Sequence, residues 1–247
     1  MTDTADPTDL RARVAQACRV LGSLDLTKAA TGHVSARLPG TDRIFMRARG
    51  PAERGVRYTR EDQVIEIDLD GNVVAGGEGL TAPIEVFIHT AMYKARAQVN
   101  SVVHVHPPTV VLFTICDKPL LPLYGAYDPN SLKLALNGIP TYPRSILISS
   151  PALGDSLASA IGEKNVCLMR GHGITTVGGT VEQAALNAIH INELAVMNYQ
   201  AHLLGNPQPI SEEDQQAFRN MRPQSAGPRT GPTETALWRY YLALTGE

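Results

Sequence analysis

Val102-Val103-His104-Val105-His106-Pro107-Pro108 is an apolar run that ends on two histidines and a double proline. A strand turns residues two apart onto the same face and rises about 3.3 Å per residue, so His104 and His106 project in parallel. Val103 and Val105 then face the opposite side. Proline lacks the backbone donor that a strand needs, which stops the strand at Pro107. The paired imidazoles thus stand where a strand gives way to a loop, the usual place for ligands in sheet proteins.

Two further stretches belong with this one. His172 sits between glycines in Arg170-Gly171-His172-Gly173, directly after the apolar run Val166 to Met169, and Glu85 follows Pro83-Ile84. Neutral imidazoles are preferred ligands for zinc and its neighbours, and three protein ligands with an open position form the usual catalytic arrangement. His104 and His106, with His172 as third ligand, therefore predict one divalent-metal site. Pro83 suits a first helical turn, where the macrodipole favours a carboxylate, and that is the bland account of Glu85. Beside a dication the same carboxylate becomes a ligand or a proton carrier.

Taken with the glycine loop Thr31-Gly32-His33-Val34-Ser35-Ala36-Arg37 and with His89, these stretches resemble the class II aldolase/adducin family over roughly residues 8 to 205. The resemblance implies a three-layer α/β/α domain around a largely antiparallel sheet. It also implies a homotetramer with active sites at subunit interfaces. His104, His106 and His172 become the implied metal ligands, and Glu85 the acid/base. Zinc is the first expectation for the ion, with manganese, iron and cobalt also suited to imidazoles.

With 247 residues, 43% of them hydrophobic, the chain can bury a substantial core as one domain. A net charge of -2 without a basic run argues against nucleic acid or an anionic membrane as partner. No apolar stretch reaches the roughly 20 residues of a membrane span, and Met1 to Pro7 is acidic and polar, unlike a signal peptide, so a cytoplasmic protein is expected. Cys18, Cys116 and Cys167 lie in apolar surroundings with no close pair spacing, which predicts buried thiols.

The periodicity predicts a helix from Thr8 to Gly22, strands at Val34 to Leu38 and Ile44 to Arg47, and a hairpin joining Val64–Leu69 to Val73-Val74 through Asp70-Gly71. A helix from Pro83 to about Ala97 leads into the histidine strand. Strands at Ile146 to Ser149 and Val166 to Met169 flank a helix near Leu153 to Ile161, and Thr180 caps a long helix to about Leu204. His190 and His202 read as packed or exposed helix residues. The catalytic domain is expected over 1–205. The extension 206–247 carries Pro207, Pro209, Pro223, Gly227, Pro228, Gly231 and Pro232, and a short helix from Thr233 to Leu244 with Leu237, Trp238, Tyr241 and Leu242 for burial. By resemblance, Tyr240 or Tyr241 reaches a neighbouring subunit's site.

Sugar-phosphate members of the family resemble one another in an asparagine of the glycine loop and small hydroxyl residues before the glutamate, which hold the phosphate. Those positions here are His33 and Pro83-Ile84. A phosphate needs several donors to replace its water. What remains near the loop is Ser35, Arg37, Arg47 and Arg49, and arginine matches a carboxylate bidentately, so a small anionic substrate without phosphate is expected. His33 is expected to bind a substrate oxygen or relay a proton. The reading is a carbon–carbon lyase working through a metal-stabilised enolate. Decarboxylation of a hydroxylated aromatic or ring-cleaved acid is preferred over aldol cleavage, with an iron-dependent oxygenase as a third reading. Glu85, His33 or a tyrosine of Tyr124-Gly125-Ala126-Tyr127 would protonate the carbanion, Tyr124 and Tyr127 both being open as intersubunit residues. The adducin branch, whose members have lost the metal ligands, is disfavoured because all four residues are retained.

Overall fold

A computed structural model describes residues 7–221 and 234–246. Met1 to Asp6 lie outside the described residues, as do Pro223, Gly227, Pro228, Gly231, Pro232 and Thr233 of the extension. The strands are β1 (His33–Arg37), β2 (Ile44–Arg47), β3 (Val64–Ile67), β4 (Val73–Ala75), β5 (Ser101–Val105), β6 (Thr141–Tyr142), β7 (Val166–Met169) and β8 (Gly173–Gly178). They form one sheet in the order β4-β3-β2-β1-β5-β8-β7-β6, antiparallel throughout except for the β6–β7 pair.

The helices are α1 (Pro7–Ser23), α2 (Val86–Ala95), α3 (Pro108–Ile115), α4 (Pro129–Leu136), α5 (Pro151–Ile161), α6 (Val181–Leu204), α7 (Glu212–Asn220) and α8 (Glu234–Ala243). Alternation along the strands divides the core in two. Val34, Ala36, Val103, Val105, Leu168 and Ile174 pack with α1, α6 and α8 on one face. Ile44, Met46, Val102, Cys167, Met169 and Val177 pack with α2 and α5 on the other. The result is the three-layer α/β architecture with a mostly antiparallel sheet that the resemblance implied.

Several local expectations are corrected. Ile146 to Ser149 is not a strand: the Ile148 N–H donates to Glu85 Oε1, leaving it unavailable to a ladder, and the edge strand is Thr141–Tyr142. α2 begins at Val86, with Glu85 at its N-cap position making no side-chain cap bond. Cys116 is exposed because it sits at the C-cap of α3, beyond the buried face, whereas Cys18 and Cys167 are buried thiols. β8, α3, α4 and α7 were not expected. The long helix holds, with the Thr180 hydroxyl accepting from the Gln183 N–H. On α8, Trp238 and Tyr241 are buried in the core shared with α1 and α6, while Tyr240 is exposed.

His190 is buried on α6 between two carboxylates, with Nδ1 3.6 Å from Asp128 Oδ2 and 3.6 Å from Glu193 Oε2. The Tyr241 hydroxyl donates to Glu193 Oε1 at 2.9 Å, tying α8 to the same group. Burial lowers the His190 imidazole, but the two carboxylates outweigh it and push it up to about 9. A folded-state value raised above the ordinary 6.5 contributes stability that is full below 6.5 and lost as the pH climbs through about 9. Thermal unfolding of the wild type and of His190→Gln should therefore differ most below about pH 6 and converge at about pH 10. A gap of constant size across that range would exclude the ion cluster as its origin.

Candidate metal centre

His104, His106, His172 and Glu85 come from three separate parts of the chain. Since Val103 and Val105 point to the α1/α6 face, His104 points toward α2, whose N-cap is Glu85. His106 lies just past the end of β5, at the Pro107-Pro108 break that starts α3. His172 stands in the tight connection between β7 and β8, where Gly171 adopts φ 59. A Cβ on Gly173 would come within 2.3 Å of the Val105 carbonyl oxygen, so only glycine lets this connection close over the strand end.

The ligand atoms of all four residues lie within 4.8 Å of one another. His106 Nε2 is 2.8 Å from His104 Nε2, and Glu85 Oε2 is 3.6 Å from His104 Nε2 and 3.4 Å from His172 Nε2. The His104 Nδ1–H donates to the Ile174 carbonyl at 2.9 Å, which fixes the tautomer and aims the lone pair of Nε2 into the cluster. Burial holds His104 well below its ordinary value and, with His172 nearby, brings His106 down to about 4, so both rings are neutral. For Glu85 burial alone would raise the carboxyl, but His172, the Ile148 N–H and His106 overcome it and leave it below the usual range. Three imidazoles and a carboxylate converging on one point are a donor set for a divalent cation.

The other expected site residues divide into near and far. His33 pairs across the sheet with His104 and its ring centroid is 5.1 Å from that of His104. Ser35 and Arg37, on the same face of β1, are directed elsewhere. Ser35 is fully buried against His89 and Tyr93. Arg37 donates to the carbonyls of Tyr93, Ala97 and Val99 at and beyond the end of α2, so both terminal nitrogens of its guanidinium are spent on the backbone. Arg47 is buried, bonded to Gly32 O, Ala30 O and Glu53, while Arg49 bonds Ala30 O and pairs with Glu53 but keeps a side chain 41% exposed. Tyr124 and Tyr127 line a separate groove with Asp128, His190, Met197 and Tyr241. Within one chain they are not brought to the cluster.

Sequence reasoning missed the packing role of His89 and Tyr93, which reach His33 and Ser35 from α2. The signal was available, since Glu85, His89 and Tyr93 are spaced four apart and share a helix face.

A profile of the "Class II Aldolase and Adducin N-terminal domain" matches residues 12–199. The chain belongs to the class II aldolase and adducin family. It is 40% identical over 198 residues to a 3,4-dihydroxyphthalate decarboxylase of Arthrobacter keyseri, covering 79% of each chain. A 3,4-dihydroxyphthalate decarboxylase of Terrabacter sp. (strain DBF63) is 36% identical over 239 residues, 96% of this chain and 97% of the relative. The fold matches an aldolase II superfamily protein from Pseudomonas syringae with a TM-score of 0.80 at 20% identity, covering 98% of this chain and 95% of that one. The chain is a carbon–carbon lyase of the decarboxylase branch, and its ligand cluster is that of a divalent-metal enzyme. No helix among the described residues is long and apolar enough to cross a membrane.

Purified protein should carry about one divalent ion per chain, and removal of one of three imidazole ligands should abolish tight binding while sparing the fold. Elemental analysis of wild type and His106→Ala, with circular dichroism on both, checks this. Metal content equal in the two proteins would move the site elsewhere.

Proposed function

We propose that the protein releases carbon dioxide from an unphosphorylated, hydroxylated aromatic acid, with a dihydroxyphthalate as the first substrate to try. The observation that carries this reading is the 36% identity to a dihydroxyphthalate decarboxylase across nearly the whole of both chains. Two site features support it. His33 and Pro83-Ile84 occupy positions that resemble the phosphate-holding ones, and they offer too few donors to replace the water of a phosphate. Of Arg37, Arg47 and Arg49, only Arg49 keeps a partly exposed side chain, and it is the one left to meet a substrate carboxylate.

His104, His106 and His172 would hold the ion, zinc first among those that suit three imidazoles, with manganese, iron or cobalt as alternatives. When bound, the cation supplies a Lewis acid for the substrate oxygens that take up negative charge. Glu85, held as a carboxylate, takes the proton of the substrate hydroxyl and returns it to the ring carbon that bears the departing carboxylate. The electron pair of the breaking carbon–carbon bond falls back into the ring as carbon dioxide leaves. The product phenolate then takes a proton from water.

Ile148 N–H holds the Glu85 carboxylate from behind at 2.9 Å, leaving Oε2 toward the imidazoles. His33 contributes a second polar group beside His104. Tyr124 and Tyr127 act at a neighbouring subunit's site in a homotetramer, a reading supported by Tyr127 being 77% exposed on a loop away from its own cluster. A cytoplasmic location accords with the absence of a long apolar helix among the described residues.

Replacing Glu85 by Gln keeps the shape and removes the proton carrier, so kcat should fall by about 10² or more with metal content near wild type. Normal turnover in Glu85→Gln would reduce Glu85 to a helix-start charge. A substrate panel of dihydroxyphthalates, dihydroxybenzoates, ring-cleaved semialdehydes and ketose phosphates, followed for carbon dioxide and for aldehyde, separates decarboxylation from aldol cleavage. Efficient formation of a phosphorylated fragment would replace the decarboxylase with the aldolase.

A further inference from the structure

A line of short hydrogen bonds runs from the ring beside His104 into the core. His33 Nδ1 is 2.6 Å from His89 Nε2, His89 Nδ1 is 2.7 Å from Ser35 Oγ, and Ser35 Oγ is 2.6 Å from the Tyr93 hydroxyl. Ser35 and His89 have no exposed surface and Tyr93 is 2% exposed, so water does not complete any link. Each link holds a single proton. The direction of donation therefore has to be the same along the whole line.

The Tyr93 end sets that direction. Among the described residues its O–H has one acceptor in reach, Ser35 Oγ; if it accepted from Ser35 instead, its own proton would be buried without a partner. Tyr93 therefore donates to Ser35, the Ser35 hydroxyl donates to His89 Nδ1, and the His89 Nε2–H donates to His33 Nδ1. The one proton of neutral His33 is left on Nε2. That nitrogen belongs to the ring that faces His104 across the strand pair, 5.1 Å between centroids.

We propose that Tyr93, Ser35 and His89 are positioning residues that lock His33 in its Nε2–H tautomer, so that the site presents a fixed N–H donor to an anionic oxygen of the substrate. The lock rests on the reading of this site as one for a carboxylate-bearing acid. It also assigns His33 a single role. The line ends in the core at Tyr93 and has no source of replacement protons, so His33 donates a hydrogen bond and keeps its proton. An analogue with an ester in place of the recognised carboxylate offers a weaker acceptor and binds less well.

Nitrogen-15 NMR of histidine-labelled, metal-loaded protein reads the tautomer without reference to turnover, with the His33 signals assigned by their loss in His33→Gln. The wild type should carry its His33 proton on Nε2, and Tyr93→Phe should show a mixture of tautomers. His89→Gln, whose amide N–H takes the place of the imidazole Nε2–H, should keep the wild-type pattern, whereas His89→Leu should not. Kinetically, Tyr93→Phe and His89→Leu should raise KM about tenfold with kcat within about twofold, as expected for loss of a contact made equally before and during reaction. His89→Gln should restore KM. If Tyr93→Phe fails to fold, Ser35→Ala breaks the same line with a smaller change of volume and is read in the same way. A wild-type His33 protonated on Nδ1 overturns the proposal whether or not the enzyme is active. An Nε2–H tautomer in a protein that releases no carbon dioxide from any hydroxylated aromatic acid upholds the lock and sinks the functional reading instead.

Discussion

The antiparallel pairing of β1 with β5 is the constraint on which the rest depends. Its register sets His33 opposite His104 and Ser35 opposite Val102. Side chains alternate along a strand, so a slip of one residue would send His104 into the apolar layer under α1 and α6 and bring Val103 to the metal side. The valines prevent that slip. Val34, Val103 and Val105 are all but fully buried, and exchanging them for imidazoles in the core would leave several polar groups without partners. The hydrophobic layer on one face thereby holds the ligands on the other.

The same division explains how a buried cluster of polar groups is tolerated. His104 spends its second nitrogen on the Ile174 carbonyl, and Glu85 spends one oxygen on the Ile148 N–H. What remains unspent points inward. Glu85 stands at a helix N-cap yet accepts no bond from its own helix. The helix start fixes where the carboxylate is, and the segment before α5 fixes which way it faces.

Much of this was legible in the sequence because it rests on local patterns. The valine-histidine alternation, the Pro-Pro break, the glycines around His172 and the Thr180 cap each report a steric or hydrogen-bonding demand of a few neighbouring residues. Ile146 to Ser149 misled because its apolar content suits a strand, whereas the decisive partner is a carboxylate 63 residues away in sequence. Two of the arginines misled in a similar way. Nothing local tells that Arg37 faces the carbonyls ending α2, or that Glu53 and the carbonyls of Ala30 and Gly32 already occupy the buried Arg47. β8 escaped notice because a run that begins on glycine and continues through paired threonines has little apolar signature, although it is wholly buried.

The joining of β5 to β8 has a consequence for the order of events in the cell. The bond that orients His104 is made by Ile174, 70 residues later, and the third imidazole lies in the connection just before it. A ribosome-bound chain that has emerged only as far as β5 holds a pair of histidines on an unpaired strand edge, with no fixed tautomer and no third ligand. The four donors can converge on one point only once β7 and β8 have closed the sheet, so a complete donor set marks a chain made at least as far as Gly178.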